Sequence, residues 1–191
     1  MRPFTLMTGI AAPMLMTNIN TDLIAPSLMP GRTPEEASHL SLKDKLFANL
    51  RFHPDGTEKP DFPLAQPRYR DTQILLAGPN FGCGSSRETA VWSLMEAGIR
   101  CVIAPSFGDI FLENAFQNGL LPLRLELPLI ERIAQVLAQS NRSEMTVDLQ
   151  RCVLEVPGME QIGFDLTADR REAMLAGLDQ LSLIMRDMPA I

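Results

Sequence analysis

The chain has 191 residues, 46% of them hydrophobic and 21% charged, with a formal net charge of −6. That balance suits a globular chain with a sizeable core, and it argues against a general role on nucleic acid or an anionic membrane surface. Met1 to Leu6 begins no long apolar segment, so neither a signal peptide nor a membrane span is expected. Three cysteines form no disulfide pattern, which points to a reducing, cytoplasmic setting.

Taken in order, Phe4 to Ala11 partly alternates and predicts a strand, broken at Ala12-Pro13 and resumed at Met14-Leu15-Met16. Asn18 to Asp22 is a polar turn whose side chains can bond their own backbone. Residues 28–70 are punctuated by six prolines and predict an irregular loop region that contacts substrate or a partner. Within it, Leu42 to Leu50 predicts a short helix capped by Ser41, His53 to Gly56 a turn, and Asp61 to Leu64 an extended surface segment. Neither His39 nor His53 has partners at metal-ligand spacing.

Ile74 to Ala77 predicts a buried strand, and Cys101 to Ala104 and Leu120 to Leu125 two more. Helical spacing follows the first, at Ala90, Val91, Leu94 and Met95. A second helix, capped by Ser106, is expected through Ile110, Phe111 and Ala115 to a C-cap at Asn118-Gly119. A third starts at Pro128 and runs through Leu137. Thr146 to Leu149 and Cys152 to Val156 read as a hairpin. C-terminal helices are expected over 166–191, one from Thr167 to Ala176 and another from Leu178 to Met185. Strands alternating with helices predict an α/β chain, 1–191 as one domain, with a mostly parallel central sheet flanked by helices plus small extra strands.

The stretch Gly78-Pro79-Asn80-Phe81-Gly82-Cys83-Gly84-Ser85-Ser86-Arg87-Glu88 joins the first of those strands to its helix. It is not a P-loop, because no lysine follows its glycines, and not a dinucleotide fingerprint, because Arg87 stands where the third glycine belongs. Nor is it a hydrolase elbow, which needs G-x-S-x-G. A helix N-terminus favours an anion, and Arg87 adds a planar fork for a carboxylate or phosphate. From the residues alone, Ser85 and Ser86 read as helix caps and Arg87 as an anion contact.

Asn80 to Glu88, Val102 to Phe111, Asn118 to Leu123 and Asn18 to Pro26 together resemble the swivelling-domain signatures of the aconitase superfamily, in order and spacing across nearly the whole chain. Asn20 and Thr89 depart from the family pattern. The resemblance implies an aconitase-type swivelling domain (β/β/α) and a hydro-lyase that removes water from a small dicarboxylate and adds it back. It implies Ser85 as the catalytic base and Ser86, Arg87 and, from the following loop, Arg32 as substrate contacts. Asp22, Thr21 and Cys83 support them, with Asp22 orienting Arg87. Cys83, Cys101 and Cys152 show no C-x-x-C, and the resemblance assigns the 4Fe-4S cluster to a large partner subunit in a hetero-oligomer, with no cofactor on this chain. The substrate side chain stays open among branched malates and citraconate-type diacids. A third reading is a non-catalytic anion-binding subunit.

Overall fold

The computed structural model describes residues 1–178. Seven strands among them form one mixed sheet. Strands β1 (Leu6–Met14), β2 (Thr72–Ala77), β3 (Cys101–Ala104) and β4 (Leu121–Arg124) run parallel, in the spatial order β4-β3-β2-β1. On the other edge of β1 lie β5 (Glu144–Asp148), β6 (Val153–Glu155) and β7 (Ile162–Gly163), each antiparallel to its neighbour. The α/β expectation and the parallel centre therefore hold, and the added strands all join one side.

Strand β3 is buried at every position and β2 at all but Gln73. This is why both read as continuous apolar runs: parallel strands are covered on both faces. Among the helices, α7 (Leu127–Gln139) covers β1, β2 and β3 with the stripe Ile130, Ile133, Ala134 and Leu137. Helices α5 (Glu88–Glu96) and α6 (Asp109–Asn118) pack on each other. Gly119 ends α6 in the left-handed region at φ 85°, the conformation that favours glycine at a helix end. Helix α8 (Ala168–Ala176) stops at Gly177 in the same way.

Several expectations are corrected. Pro13 does not break the first strand, which runs unbroken to Met14 with a register shift between Ile10 and Ala11. Pairing with β5 ends at Ile10, so at Pro13 the strand has a ladder partner only in β2, and a residue without an N–H is tolerated there. The helix expected over Leu42 to Leu50 is two short turns, α3 (Leu42–Lys45) and α4 (Ala48–Arg51). They are divided at Phe47, whose φ is 54° and whose ring is fully buried. Asp61 to Leu64 is not a surface extension, because Phe62 is buried with its ring centroid 6.3 Å from that of Phe47. Two short helices precede these: α1 (Thr21–Ile24) and α2 (Pro34–Ser38). Ser106 caps nothing, since α6 begins after Gly108. The helix expected from Leu178 to Met185 lies, beyond Leu178, outside the described residues.

Candidate active site

Three parallel strands deliver their following loops to one edge of the sheet, and the middle loop is hydrogen-bonded on both sides. Toward the loop after β1, Gly82 N donates to Ile19 O (2.7 Å), Thr21 N to Cys83 O (3.0 Å) and Asn18 N to Pro79 O (2.9 Å). Toward the loop after β3, Phe81 N donates to Ser106 O (3.0 Å) and Gly108 N to Phe81 O (2.9 Å). The Ser106 hydroxyl accepts from Asn80 N at 2.8 Å. Ligand sites of open α/β sheets lie at this carboxyl edge of the strands.

The loop rests on an aromatic cluster. Phe81 stands edge-on to Phe111, with centroids 5.3 Å apart, and Phe107 stacks on Phe111 at 6.2 Å. Gly82 crosses Phe111 so closely that a Cβ there would lie 2.2 Å from the ring's Cγ, and its φ of 71° is itself left-handed. Only glycine meets both demands. Asn18 and Asn80 also take positive φ, at 56° and 60°, and Asn80 Nδ2 donates to Asn18 Oδ1 at 2.8 Å.

Asn20 caps α1, its Oδ1 accepting from Leu23 N at 2.8 Å. That puts Asp22 in the first turn. Its carboxylate meets Arg87 Nη1 at 2.7 Å, and the same nitrogen donates to Ser27 Oγ at 3.2 Å. Arg87 Nε and Nη2 have no hydrogen-bond or ion-pair partner among the described residues, and 39% of the side chain is exposed. So the fork is fixed by one nitrogen and leaves the others unpaired among the described residues, a donor set that can take a carboxylate bidentately. Arg87 is also the N-cap residue of α5, and no side chain caps that helix. Its N-terminal N–H groups and positive dipole end face the same place.

Ser85 and Ser86 are exposed beside this end, with Arg87 N donating to Ser85 O at 2.9 Å. The Thr21 hydroxyl, 2% exposed, reaches both the carbonyl and the hydroxyl of Ser85. Cys83 is half-buried and contributes its backbone to the bridge with Asn20. Ser85, Ser86, Arg87, Asp22, Thr21 and Cys83 thus gather at one place. Arg32 is not drawn in: it is exposed, lines a separate recess with Met29, Leu40, Asp44 and Phe52, and bonds to none of those six. Glu88 accepts from Asn118 Nδ2 at 2.9 Å, and Trp92 Nε1 donates to Asn118 Oδ1 at 3.0 Å.

Among the described residues no three His, Cys, Asp or Glu side chains converge to hold a metal. Cys101 is fully buried, and burial pushes its thiol well up, so it stays protonated. Sequence reasoning missed Ser27, which holds Arg87, and the pair Asn18 and Asn80, which set the loop. Asparagine tolerates the left-handed region, and that was the signal at both positions. Nothing in sequence marks Ser27.

The chain matches the family of aconitase C-terminal domains over residues 1–128. It is 44% identical over its whole length to a protein of Rhodospirillum centenum named 3-isopropylmalate dehydratase small subunit, covering 92% of that protein. It is 43% identical over its whole length to the protein of that name from Paracoccus denitrificans, covering 93% of it. A solved structure titled 3-isopropylmalate dehydratase, from Methanocaldococcus jannaschii, superposes with a TM-score of 0.64 at 22% identity, covering 95% of each chain. That likeness confirms the fold.

Proposed function

The chain belongs to the aconitase C-terminal domain family and is a hydro-lyase subunit, and on that premise we propose that it serves as the small subunit of a 3-isopropylmalate dehydratase. It converts 2-isopropylmalate to 3-isopropylmalate by loss and re-addition of water, a step toward leucine. One observation carries the reading: Arg87, held by Asp22 and Ser27 through a single nitrogen, offers its free donors beside Ser85 at the open end of α5.

Elimination removes a proton from a carbon beside a carboxylate. We assign that proton to Ser85 Oγ, whose alkoxide is favoured by the α5 dipole and the guanidinium nearby. Ser86 and Arg87 bind the carboxylate, and Arg87 offsets the negative charge that grows on it as the carbanion forms. Asp22 holds Arg87 in place. A 4Fe-4S cluster on a large partner subunit would supply Lewis acidity for the hydroxyl that leaves. The described residues of this chain do not fit such a cluster: Cys101 is buried and Cys83 and Cys152 have no companion ligands. The working unit is therefore a hetero-oligomer. No described helix is long and apolar enough to cross a membrane, and we place the complex in the cytoplasm.

The test is co-expression with the large subunit under anaerobic conditions with iron and sulfide. Alkene absorbance is then followed on adding 2-isopropylmalate, citramalate or citrate. Turnover only by the pair, highest with isopropylmalate and abolished by Ser85→Ala, is expected. A preference for another diacid replaces the substrate and keeps the mechanism, whereas full turnover by the Ser85→Ala complex removes Ser85 from it.

A further inference from the structure

Resting on the assignment of Ser85 as base, we propose that Thr21 is a positioning residue that holds Ser85 Oγ in place and favours its alkoxide, the form that accepts a proton. Ser85 is exposed and flanked by Gly84 at φ 95°, so nothing in its own backbone fixes its side chain. Thr21 does. Its Oγ1 lies 3.0 Å from Ser85 O and 3.3 Å from Ser85 Oγ.

A threonine hydroxyl has one proton and two lone pairs. The proton is committed to the Ser85 carbonyl, an acceptor that cannot donate. Toward Ser85 Oγ the threonine oxygen can therefore only accept, and the serine must donate. In the neutral pair the Ser85 hydroxyl therefore points its proton at Thr21. The form that takes a proton from substrate is the alkoxide, reached when the exposed Ser85 hydroxyl has given its own proton to solvent. When Ser85 carries a negative charge, the threonine O–H is within reach to turn from the carbonyl to the alkoxide, a shift of hydrogen bond with no atom transferred. A hydrogen bond to the charged form favours it.

Thr21 is itself held firmly. Its N–H donates to Cys83 O at 3.0 Å, its carbonyl accepts from Ala25 N at 2.9 Å, and it begins the helix that Asn20 caps. A β-branched residue has few χ1 choices, and the side chain is 2% exposed. The segment that carries Asp22 to Arg87 thus also carries Thr21 to Ser85, one residue earlier.

The experiment uses the reconstituted two-subunit enzyme with Thr21→Val, Thr21→Ala, Thr21→Ser and Ser85→Ala, measuring kcat, KM, complex formation and the isotope effect on substrate deuterated at the carbon that loses its proton. For Thr21→Val and Thr21→Ala we expect kcat to fall by roughly 10- to 100-fold, the range for a misplaced reacting group. KM should stay near its original value, because Arg87 and Ser86 are untouched, and the isotope effect should rise. Thr21→Ser restores the hydroxyl and should recover most of the rate. Unchanged kcat in Thr21→Val and Thr21→Ala complexes overturns the inference, as does loss of assembly in all three Thr21 variants, which makes the residue structural. If Ser85→Ala keeps full turnover, the assignment beneath the inference fails instead.

Discussion

The carboxyl edge of the parallel strands and the segment from residue 28 to 71 are held in opposite ways. At the edge, the loop 78–87 is tied by backbone hydrogen bonds to two other loops and seated on Phe81, Phe107 and Phe111. Its partners are remote in sequence, 64 positions in the case of Thr21 and Ser85. The 28–71 segment is instead a chain of local devices. Thr33 and Glu36 form a capping box, Ser41 and Asp44 exchange hydrogen bonds, and Asp55 accepts from Thr57. Its own small cluster of Met29, Ala37 and Ala48 is separate from the main core. A site that must fix reacting groups to fractions of an ångström sits where long-range contacts converge, and the locally built segment is left free to vary around it.

That contrast can be broken first at Gly82. Gly82→Ala places a methyl against Phe111 and keeps a left-handed φ. The strain and the overpacking together are expected to cost about 3 kcal/mol, read as a lowered urea midpoint, with turnover lost alongside. A second break lies at a polar tie of the 28–71 segment to the rest, to which the segment is also joined through Leu46, Phe47 and Phe62 in the main core. The Arg68 guanidinium donates to Leu137 O, Ala138 O, Ser140 O and Ser143 Oγ, closing the C-terminal end of α7. A cation suits that end of a helix. Arg68→Met is expected to lower stability by about 2 kcal/mol while leaving kcat of the assembled enzyme close to its original value, since no reacting group moves.

The smallest effect sharpens the contrast. The Thr33 backbone N–H, and then its hydroxyl, hold the Glu36 carboxyl below its ordinary value of 4.5. A depressed carboxylate contributes stability above its unfolded pKa and loses it as pH falls through the folded one. Secondary chemical shifts of residues 34–38 are expected to move toward coil as pH drops below about 4.5, while those of 80–87 hold. In Glu36→Ala they should be coil-like already at neutral pH.

The same division decided what could be read in advance. The glycine loop, its helix and the strands β2, β3 and β4 follow from apolar runs, glycines and a C-cap at Gly119, all signals confined to neighbours in sequence. The 28–71 segment was misjudged because its helices span four or five residues, too short to show a 3.6-residue period. Thr33-Pro34-Glu35-Glu36 does carry a capping-box pattern, set among prolines that otherwise signal irregular chain. Ser106 matched the rule for a helix cap, but its hydroxyl is claimed by Asn80, 26 positions earlier. Pro13 carries the local signal of a break, whereas the one-sidedness of the ladder that tolerates it is a property of the sheet. The meeting of Asp22 with Arg87 came from resemblance alone, since nothing in spacing brings those two residues together.

Strand β1 is made first and satisfied last. As the chain leaves the ribosome, β1 has no partner until β2 follows some 57 residues later, at Thr72, and its other edge waits for Glu144. Parallel pairing across so long an excursion is slow to form, and an unpaired apolar strand invites association with other chains. Residues 18–27 emerge with β1 and cannot be fixed before 78–87 arrive. Ser85 and the Arg87 guanidinium therefore come together only in a chain that has closed its central ladder, so a half-made chain does not hold the arrangement.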